Sequence, residues 1–272
     1  MKRSDIRYPL LFPAAGLLTV YICLHYGDAL ADILFPGSVT LWPGVLIRLP
    51  AAILLCVLFC RLTDIRPESF AGQNAASVWK HASPMLLMMF LLSSAETAEF
   101  IAGGAGIVPD RLTRLPAAAV FCLLVGLTEE LAFRALPYES FRMRLSDDKR
   151  AYRYTAVMTF LLFGAAHIFG EPLSADPLCF AALLLRFTET GLFGLIMLRL
   201  YAGSGGIIAC SAVHAVFDLI ALLPSLLFSE TVNASGSARY DAVAVIILAA
   251  VSVFLFFLLL RLRTKMTSEL RA

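Results

Sequence analysis

Residues 126–137 read GLTEELAFRALP and place Glu129, Glu130 and Arg134 inside an otherwise apolar stretch. A charge near the centre of a membrane-spanning helix costs about 2.5–3.5 kcal/mol on insertion scales, so such side chains are usually paired, face a cavity or carry function. Glu130 and Arg134 are four residues apart on one helical face, which predicts an ion pair. Glu129 points about 100° away from Glu130 and therefore needs a partner on another helix.

The chain as a whole has the composition of an integral membrane protein. Its 272 residues are 60% apolar and 15% charged, with a mean hydropathy of +0.82, whereas soluble domains contain about 25% charged residues. A spanning helix needs about 20 residues, so we predict an all-α, polytopic fold that forms a single membrane domain, 1–272, with about eight transmembrane helices. The apolar stretches lie at about 9–26, 41–60, 83–104, 115–137, 153–170, 177–199, 205–228 and 241–260.

The distribution of positive charge predicts the orientation of these helices. Sixteen of the 22 lysines and arginines fall in the segments on the side of the N-terminus, three fall on the other side and three lie within spans. Cytoplasmic loops are enriched in these residues, so both termini are predicted to be cytoplasmic. Ala29-Leu30-Ala31 resembles a signal-peptidase site, but the length of the preceding apolar run favours a retained first helix. Arg48, within the second stretch, is expected to snorkel near the outer face.

Other classes of site find little support. The net charge of +2 is too small to indicate a nucleic-acid partner. The six cysteines lie in apolar runs and form no CxxC pair, so we interpret them as small hydrophobic residues. The sequence contains no glycine-rich phosphate loop, which argues against nucleotide-driven transport.

Two histidines, His167 and His214, lie within the predicted spans. Phe163 precedes His167 by four residues and Asp218 follows His214 by four, so each pair shares a helical face. A lone histidine on an apolar helix is more often a core residue than a catalyst. Two imidazoles together with Glu129 and Asp218, on three different helices, indicate a functional site instead.

These residue types favour hydrolysis of a peptide by an activated water. A glutamate in a low-dielectric cavity can act as general base toward water, and an imidazole can donate to the oxyanion that forms. No GxSxG signature indicates a serine nucleophile. Two alternatives stay open. Two histidines and carboxylates could hold zinc, although no HExxH motif is present, and the same residues could relay protons or bind a cation in a transporter.

The ordered motifs resemble those of a known family. EExxxR at 129–134, FxxxH at 163–167 and HxxxD at 214–218 are similar to the three motifs of the CPBP family, the CAAX proteases and bacteriocin-processing intramembrane proteases, over about 115–225. The resemblance implies an all-helical endopeptidase of the bacterial inner (plasma) membrane that cleaves a membrane-associated protein or peptide without a cofactor. Prenylated CAAX tails, peptide-pheromone or bacteriocin precursors and C-terminal sorting tails are all compatible substrates.

The resemblance also implies roles for individual residues. Glu129 would activate water, and the remaining catalytic residues, His167, His214 and Asp218, would position that water or stabilise the oxyanion. Three further residues, Glu130, Arg134 and Phe163, would support the site, and no metal ligand is assigned. The glycine that often follows the first motif is Ala135 here, a departure that we expect to affect packing only.

The predicted depths of two site residues disagree. If the fourth helix ends at Pro137, Glu129 lies about 12 Å from its inner end, whereas His167 lies about 21 Å from the inner end of the next helix. Both should lie at a similar depth if they act together. Either the helix ends are misplaced by several residues, or tilt and a local break near Gly126, Gly164 or Pro137 reconcile the two depths.

Overall fold

The computed structural model describes residues 8–35, 41–63, 74–169, 171, 176–204, 206–228 and 242–269. These residues are helical almost throughout and contain no strand, which confirms the all-α prediction. The α-helices are α1 (Leu11–Leu34), α2 (Trp42–Thr63), α3 (Ala75–Ala102), α4 (Leu115–Glu130), α5 (Leu136–Leu145), α6 (Asp148–Ile168), α7 (Pro177–Ser204), α8 (Ile207–Leu227) and α9 (Ala242–Glu269). A 3₁₀-helix, Pro109–Arg114, precedes α4, and a π-helical segment, Leu131–Ala135, joins α4 to α5.

The helices identify a multi-pass membrane protein. Six stretches of the described chain are long and apolar enough to cross a membrane: Trp42–Thr63, Ala75–Ala102, Pro109–Leu145, Pro177–Ser204, Ile207–Leu227 and Ala242–Leu262. The apolar part of α1, Leu11–Cys23, is shorter, and α6 is not among the six. The count of eight spans and the cytoplasmic location of both termini therefore stay predictions.

The core of the bundle surrounds the π-helical segment. Every residue from 128 to 140 is buried, and the segment is contacted by α1, α2, α6 and α7. Outside it, α4 packs against α2 and α8, α6 packs against α7, and α8 also packs against α3. The charged stretch 129–134 thus lies at the centre of the described part of the molecule.

The fourth helix continues past Pro137, so its predicted end is wrong. α4, the π-helical segment and α5 form one helical rod that reaches Leu145, and only two residues separate it from α6. Ser146 there has a φ of 51°. Asp147 caps α6 by accepting hydrogen bonds from two backbone N–H groups of its first turn. These amides, Arg150 first and then Lys149, hold the pKa of the Asp147 carboxyl below its ordinary value.

The corrected helix ends remove most of the predicted disagreement in depth. Glu129 lies sixteen residues from Leu145, about 24 Å along a helix, and His167 lies nineteen residues from Asp148, about 28 Å. The two side chains are therefore at comparable distances from the turn that joins their helices. Misplaced helix ends caused the earlier mismatch, and no broken helix is needed to explain it.

A hydrogen bond from α6 explains why the rod can pass through Pro137. Proline has no N–H, so in a helix it leaves the carbonyl four residues earlier without its donor. That carbonyl belongs to Phe133, and the Thr159 hydroxyl donates to it at 2.7 Å. The π-helical turn is completed by the N–H of Leu136, which bonds to the Leu131 carbonyl five residues earlier. The sequence signal for a helix end is thus overridden by a side chain from another helix.

We expect the Thr159→Val variant to lower the free energy of unfolding by about 1–3 kcal/mol, because it leaves the Phe133 carbonyl buried without a donor. Valine keeps nearly the same shape, so little of this loss should come from packing. Thermal unfolding of the detergent-purified protein measures the effect. Thr159→Ser retains the hydroxyl and is the matched control. An equal loss in both variants would contradict the assignment.

Candidate functional site

His214 lies at the centre of a group of three carboxylates. Its Nδ1 donates to Glu130 Oε1 at 2.8 Å. Its Nε2 lies 3.6 Å from Glu129 Oε2 and 3.6 Å from Asp218 Oδ2. In its doubly protonated form the imidazole can donate from both nitrogens, which suits carboxylates on both sides. The partner that Glu129 was predicted to need on another helix is therefore His214.

Glu130 and Arg134 form the predicted ion pair. Arg134 Nη1 lies 3.4 Å from Glu130 Oε1, and both side chains are fully buried. The same nitrogen donates to the Glu129 carbonyl at 3.4 Å. Glu130 Oε1 is thus shared between Arg134 and His214, and the pair fixes the orientation of the imidazole.

The remaining surface of the Arg134 guanidinium is covered by apolar groups. It lies 3.9 Å from the centre of the Phe163 ring, and a Cβ added at Gly194 would lie 3.1 Å from Nη2. Within the described chain, Nε and Nη2 have no hydrogen-bond partner. A buried cation held this way depends on Glu130 for charge compensation.

His167 lies in the last turn of α6 and, like His214, it packs against the Phe163 ring. Its Nδ1 donates to the Phe163 carbonyl at 2.8 Å. A carbonyl can only accept, so Nδ1 carries a proton, and the neutral imidazole presents a lone pair at Nε2. The Phe163 ring packs against both imidazoles, with centroid distances of 4.4 Å to His167 and 6.3 Å to His214. The second and third motifs therefore meet at this ring.

Exposure differs among the site residues. Glu129 and His214 are 4% and 3% exposed, whereas the Asp218 side chain is 28% exposed. His167 is partly buried. The group is open on the side of Asp218 and His167 and closed on the side of Glu130.

Phe193 and Thr159 belong to this region but were missed by sequence reasoning. The Phe193 ring on α7 packs against His214 at 4.9 Å and against Phe163 at 6.2 Å between centroids. Neither residue is charged or part of a recognisable motif. The only sequence signal is the pair of glycines that flank Phe193, Gly191 and Gly194, since small residues allow helices to approach closely in membranes.

Gly126 brings the helix of the first motif close to the helix of the third. A Cβ added there would lie 2.7 Å from the Ser211 carbonyl oxygen and 3.2 Å from the Ala215 nitrogen, both on α8. Any side chain would therefore push α8, with His214, away from α4. Gly164 has the same function between α6 and α7, where an added Cβ would lie 2.7 Å from the Phe187 carbonyl oxygen.

We expect Gly126→Ala to reduce both stability and any activity of the site, with a loss of about 1–3 kcal/mol in the free energy of unfolding, because the backbone of α8 must shift. Gly106→Ala is the matched control, since a Cβ there meets nothing within 4 Å. Unfolding and turnover should be measured on the same preparations. Equal behaviour of the two variants would show that the contact is unimportant.

The zinc and transporter alternatives gain no support. In the described part of the chain, no group of three or more His, Cys, Asp and Glu side chains is arranged to hold a metal ion. Both nitrogens of His214 already face carboxylates.

The predicted residues are brought together, although from different helices. Glu129, Glu130 and Arg134 come from the rod, His167 and Phe163 from α6, and His214 and Asp218 from α8. Contacts link Glu129, Glu130, Arg134, Phe163, His167, His214 and Asp218 into one cluster. Their individual roles stay predictions.

A comparison with protein families supports the resemblance. Residues 111–220 match the family model described as Rce1-like, type II CAAX prenyl endopeptidase. The match includes every residue of the three motifs, so the family predicted from them is confirmed. Neither a curated protein nor a solved structure matches the chain.

Proposed function

We propose that this membrane protein, whose residues 111–220 match the Rce1-like model of type II CAAX prenyl endopeptidases, is an intramembrane endopeptidase that uses a glutamate-activated water. The observation that carries the proposal is the placement of His214 Nε2 at 3.6 Å from both Glu129 and Asp218. Carboxylate and imidazole thus converge at the partly open side of an otherwise buried cluster. That arrangement suits a water and a peptide carbonyl bound side by side.

In the proposed reaction, Glu129 accepts a proton from the water as its oxygen attacks the carbonyl carbon. The new C–O bond produces a tetrahedral oxyanion, which an imidazole N–H stabilises. Collapse of this intermediate breaks the C–N bond, and the proton held by Glu129 passes to the leaving amine. The products are a new carboxylate and a new amine, with no covalent enzyme intermediate.

The two imidazoles have different roles in this proposal. His214 donates from Nδ1 to Glu130, so its Nε2–H is oriented toward the reacting groups and can stabilise the oxyanion. His167 donates from Nδ1 to the Phe163 carbonyl, so in the neutral form its Nε2 lone pair can accept from the attacking water. Asp218 would accept from the Nε2–H of His214 before substrate binds.

The substrate class follows from the surroundings of the site. The cluster lies deep within apolar helices, and the matched family model is described as a type II CAAX prenyl endopeptidase. We therefore propose a membrane-associated protein or peptide as the substrate. The long apolar helices indicate that it is cleaved near or within the bilayer.

Cleavage of a peptide library by the detergent-purified protein tests the proposal. His167→Ala and His81→Ala form a matched pair, because His81 Nδ1 also bonds the carbonyl four residues earlier, at 2.8 Å, but on α3. We expect cleavage by the wild type and by His81→Ala, and a loss in His167→Ala, with activity surviving a chelator in metal-free protein. Loss of activity on chelation would show that these residues act through a bound metal ion. Equal activity of His167→Ala and His81→Ala would refute the role of His167.

A further inference from the structure

Arg199, near the end of α7, is a cation that neither the three motifs nor the proposed mechanism uses. Its guanidinium lies 5.8 Å from the centre of the Tyr152 ring on α6. Within the described chain, Arg199 makes no hydrogen bond or ion pair, and Nε is the side-chain nitrogen that is buried. The side chain as a whole is partly exposed. The guanidinium thus packs beside the ring through Nε, while its two Nη atoms are accessible from the surface.

The packing of α6 against α7 fixes which residues lie beside Arg199. Gly164 of α6 meets Phe187 of α7, where an added Cβ would lie 2.7 Å from the carbonyl oxygen. Tyr152 is twelve residues earlier on α6 and Arg199 is twelve residues later on α7, and these two are also in contact. The two helices are therefore antiparallel with one register over this length. Arg153, the residue after Tyr152, accordingly lies at the level of Arg199.

Arg153 lies on the side of α6 that faces α7. It precedes Phe160 by seven residues, or two helical turns, so both side chains leave the helix in nearly the same direction. The Phe160 ring packs against Phe187 of α7, with 5.5 Å between the ring centroids. Arg153 is exposed. It lies five residues from the start of α6, and Arg199 lies five residues from the end of α7, about 8 Å in each case. Two cations therefore reach the same groove at the same depth.

This groove between α6 and α7 carries a surplus of positive charge. Lys149 is exposed and precedes Arg153 by four residues on the same helical face. Like charges at this spacing destabilise a helix. The adjacent acids, Asp147 and Asp148, each pair with another arginine. Within the described chain, no carboxylate forms an ion pair with Lys149, Arg153 or Arg199. An anion bound in the groove would therefore relieve the repulsion among the three cations.

We propose that Arg199, Arg153 and Lys149 bind the phosphate of an anionic phospholipid in the groove between α6 and α7. This end of the bundle is predicted to face the cytoplasm, where the membrane leaflet is anionic. An arginine about 8 Å from its helix end can keep its stem among apolar groups while its guanidinium reaches the headgroups. Val157 follows Arg153 by four residues toward the bilayer centre and is 61% exposed, so it offers an apolar surface to an acyl chain.

Native mass spectrometry of the detergent-purified full-length protein measures this binding directly. Dimyristoyl phosphatidylglycerol and dimyristoyl phosphatidylcholine are titrated separately, because they have the same acyl chains and differ in net charge. We expect wild type to bind phosphatidylglycerol about 10-fold more tightly than phosphatidylcholine, a preference of about 1.4 kcal/mol. Because ions screen charges near the surface, the preference should fall as the salt concentration rises.

Substitutions of single cations assign the preference to this groove. Arg199→Gln and Arg153→Gln should each reduce it about fivefold, the effect of one cation at an anionic surface. Arg199→Lys keeps the charge and should retain part of it. Arg61→Gln is the matched control, since Arg61 is an exposed arginine in the last turn of α2, outside the groove. Thermal unfolding in phosphatidylcholine checks that each variant is folded. If Arg199→Gln is not, Arg153→Gln and Lys149→Gln, both at exposed positions, decide.

Equal binding of the two lipids to wild type, or an unchanged preference in the folded groove variants, would overturn the lipid site. An equal loss in Arg61→Gln would also overturn it, because the attraction would then belong to the basic surface as a whole. Displacement of phosphatidylglycerol by glycerol phosphate at a similar concentration would assign the three cations to a soluble phosphate instead. A loss confined to the groove variants supports the site. The measurement requires no cleavage, so its outcome is independent of the proposed protease activity.

Discussion

Glu129→Gln is expected to lower the rate of peptide cleavage by about 10³-fold, because a general base contributes about 10²–10⁴-fold and glutamine cannot accept the proton. Glutamine keeps the shape of the side chain and can still contact His214, which lies 3.6 Å from Glu129. The fold should therefore be retained. Initial rates on a peptide cleaved by wild type, together with thermal unfolding of the same preparations, measure the two effects separately.

The matched control for this variant is Glu96→Gln. Glu96 is also a glutamate within a predicted membrane span, but it is exposed on α3 and lies outside the site. Its replacement should leave the cleavage rate within about twofold of wild type, since surface changes far from a site have small effects. Full activity of Glu129→Gln would show that Glu129 is not the general base. Equal losses in both variants would point to a general effect of removing acidic residues.

Arg134→Met is expected to have the largest effect on stability, a loss of about 3–5 kcal/mol in the free energy of unfolding. The variant removes the cation from a fully buried ion pair and leaves Glu130 as a buried anion near Glu129. Methionine retains much of the volume against the Phe163 ring, so the loss is mainly electrostatic. Chemical or thermal unfolding in detergent micelles measures it.

Two further variants separate charge from packing. In Arg134→Met combined with Glu130→Gln, the uncompensated anion is gone, so the double variant should be more stable than Arg134→Met alone. Arg144→Met is the control in the same helical rod. Arg144 is exposed near the end of α5, so its loss should cost only about 1 kcal/mol or less. Similar losses for Arg134→Met and Arg144→Met would contradict the buried-charge argument.

Hydrophobic patterning predicted the helices of this fold well, but it did not predict where they end. The apolar stretches coincide with α1–α4 and α6–α9, because apolar runs of sufficient length are a strong signal for helices in membranes. Pro137 was interpreted as an end because proline removes a backbone donor. The compensating donor is the hydroxyl of Thr159, which is 22 residues away in sequence, and no local pattern reports such a contact.

The candidate site could be predicted to the level of which residues meet, but not how they are paired. Charged residues in an apolar background identified Glu129, Glu130 and Arg134, and helical spacing predicted the Glu130–Arg134 pair. The link from His214 Nδ1 to Glu130, and not to Glu129, depends on how α8 is rotated against α4. Gly126 permits that packing, and the rotation of one helix about its axis is a tertiary property. Arg48 was expected to snorkel, but it is only 8% exposed and its guanidinium packs against the Phe121 ring.

The π-helical segment makes the site sensitive to the number of residues in the chain. A π-helical turn accommodates one residue more than an α-helical turn, so α4 and α5 are out of phase by one position across residues 131–135. Removing a single residue there could restore a regular α-helix while rotating Glu129 by about 100° relative to α5. The number of residues in this segment, in addition to the identity of its side chains, therefore determines the direction in which Glu129 faces.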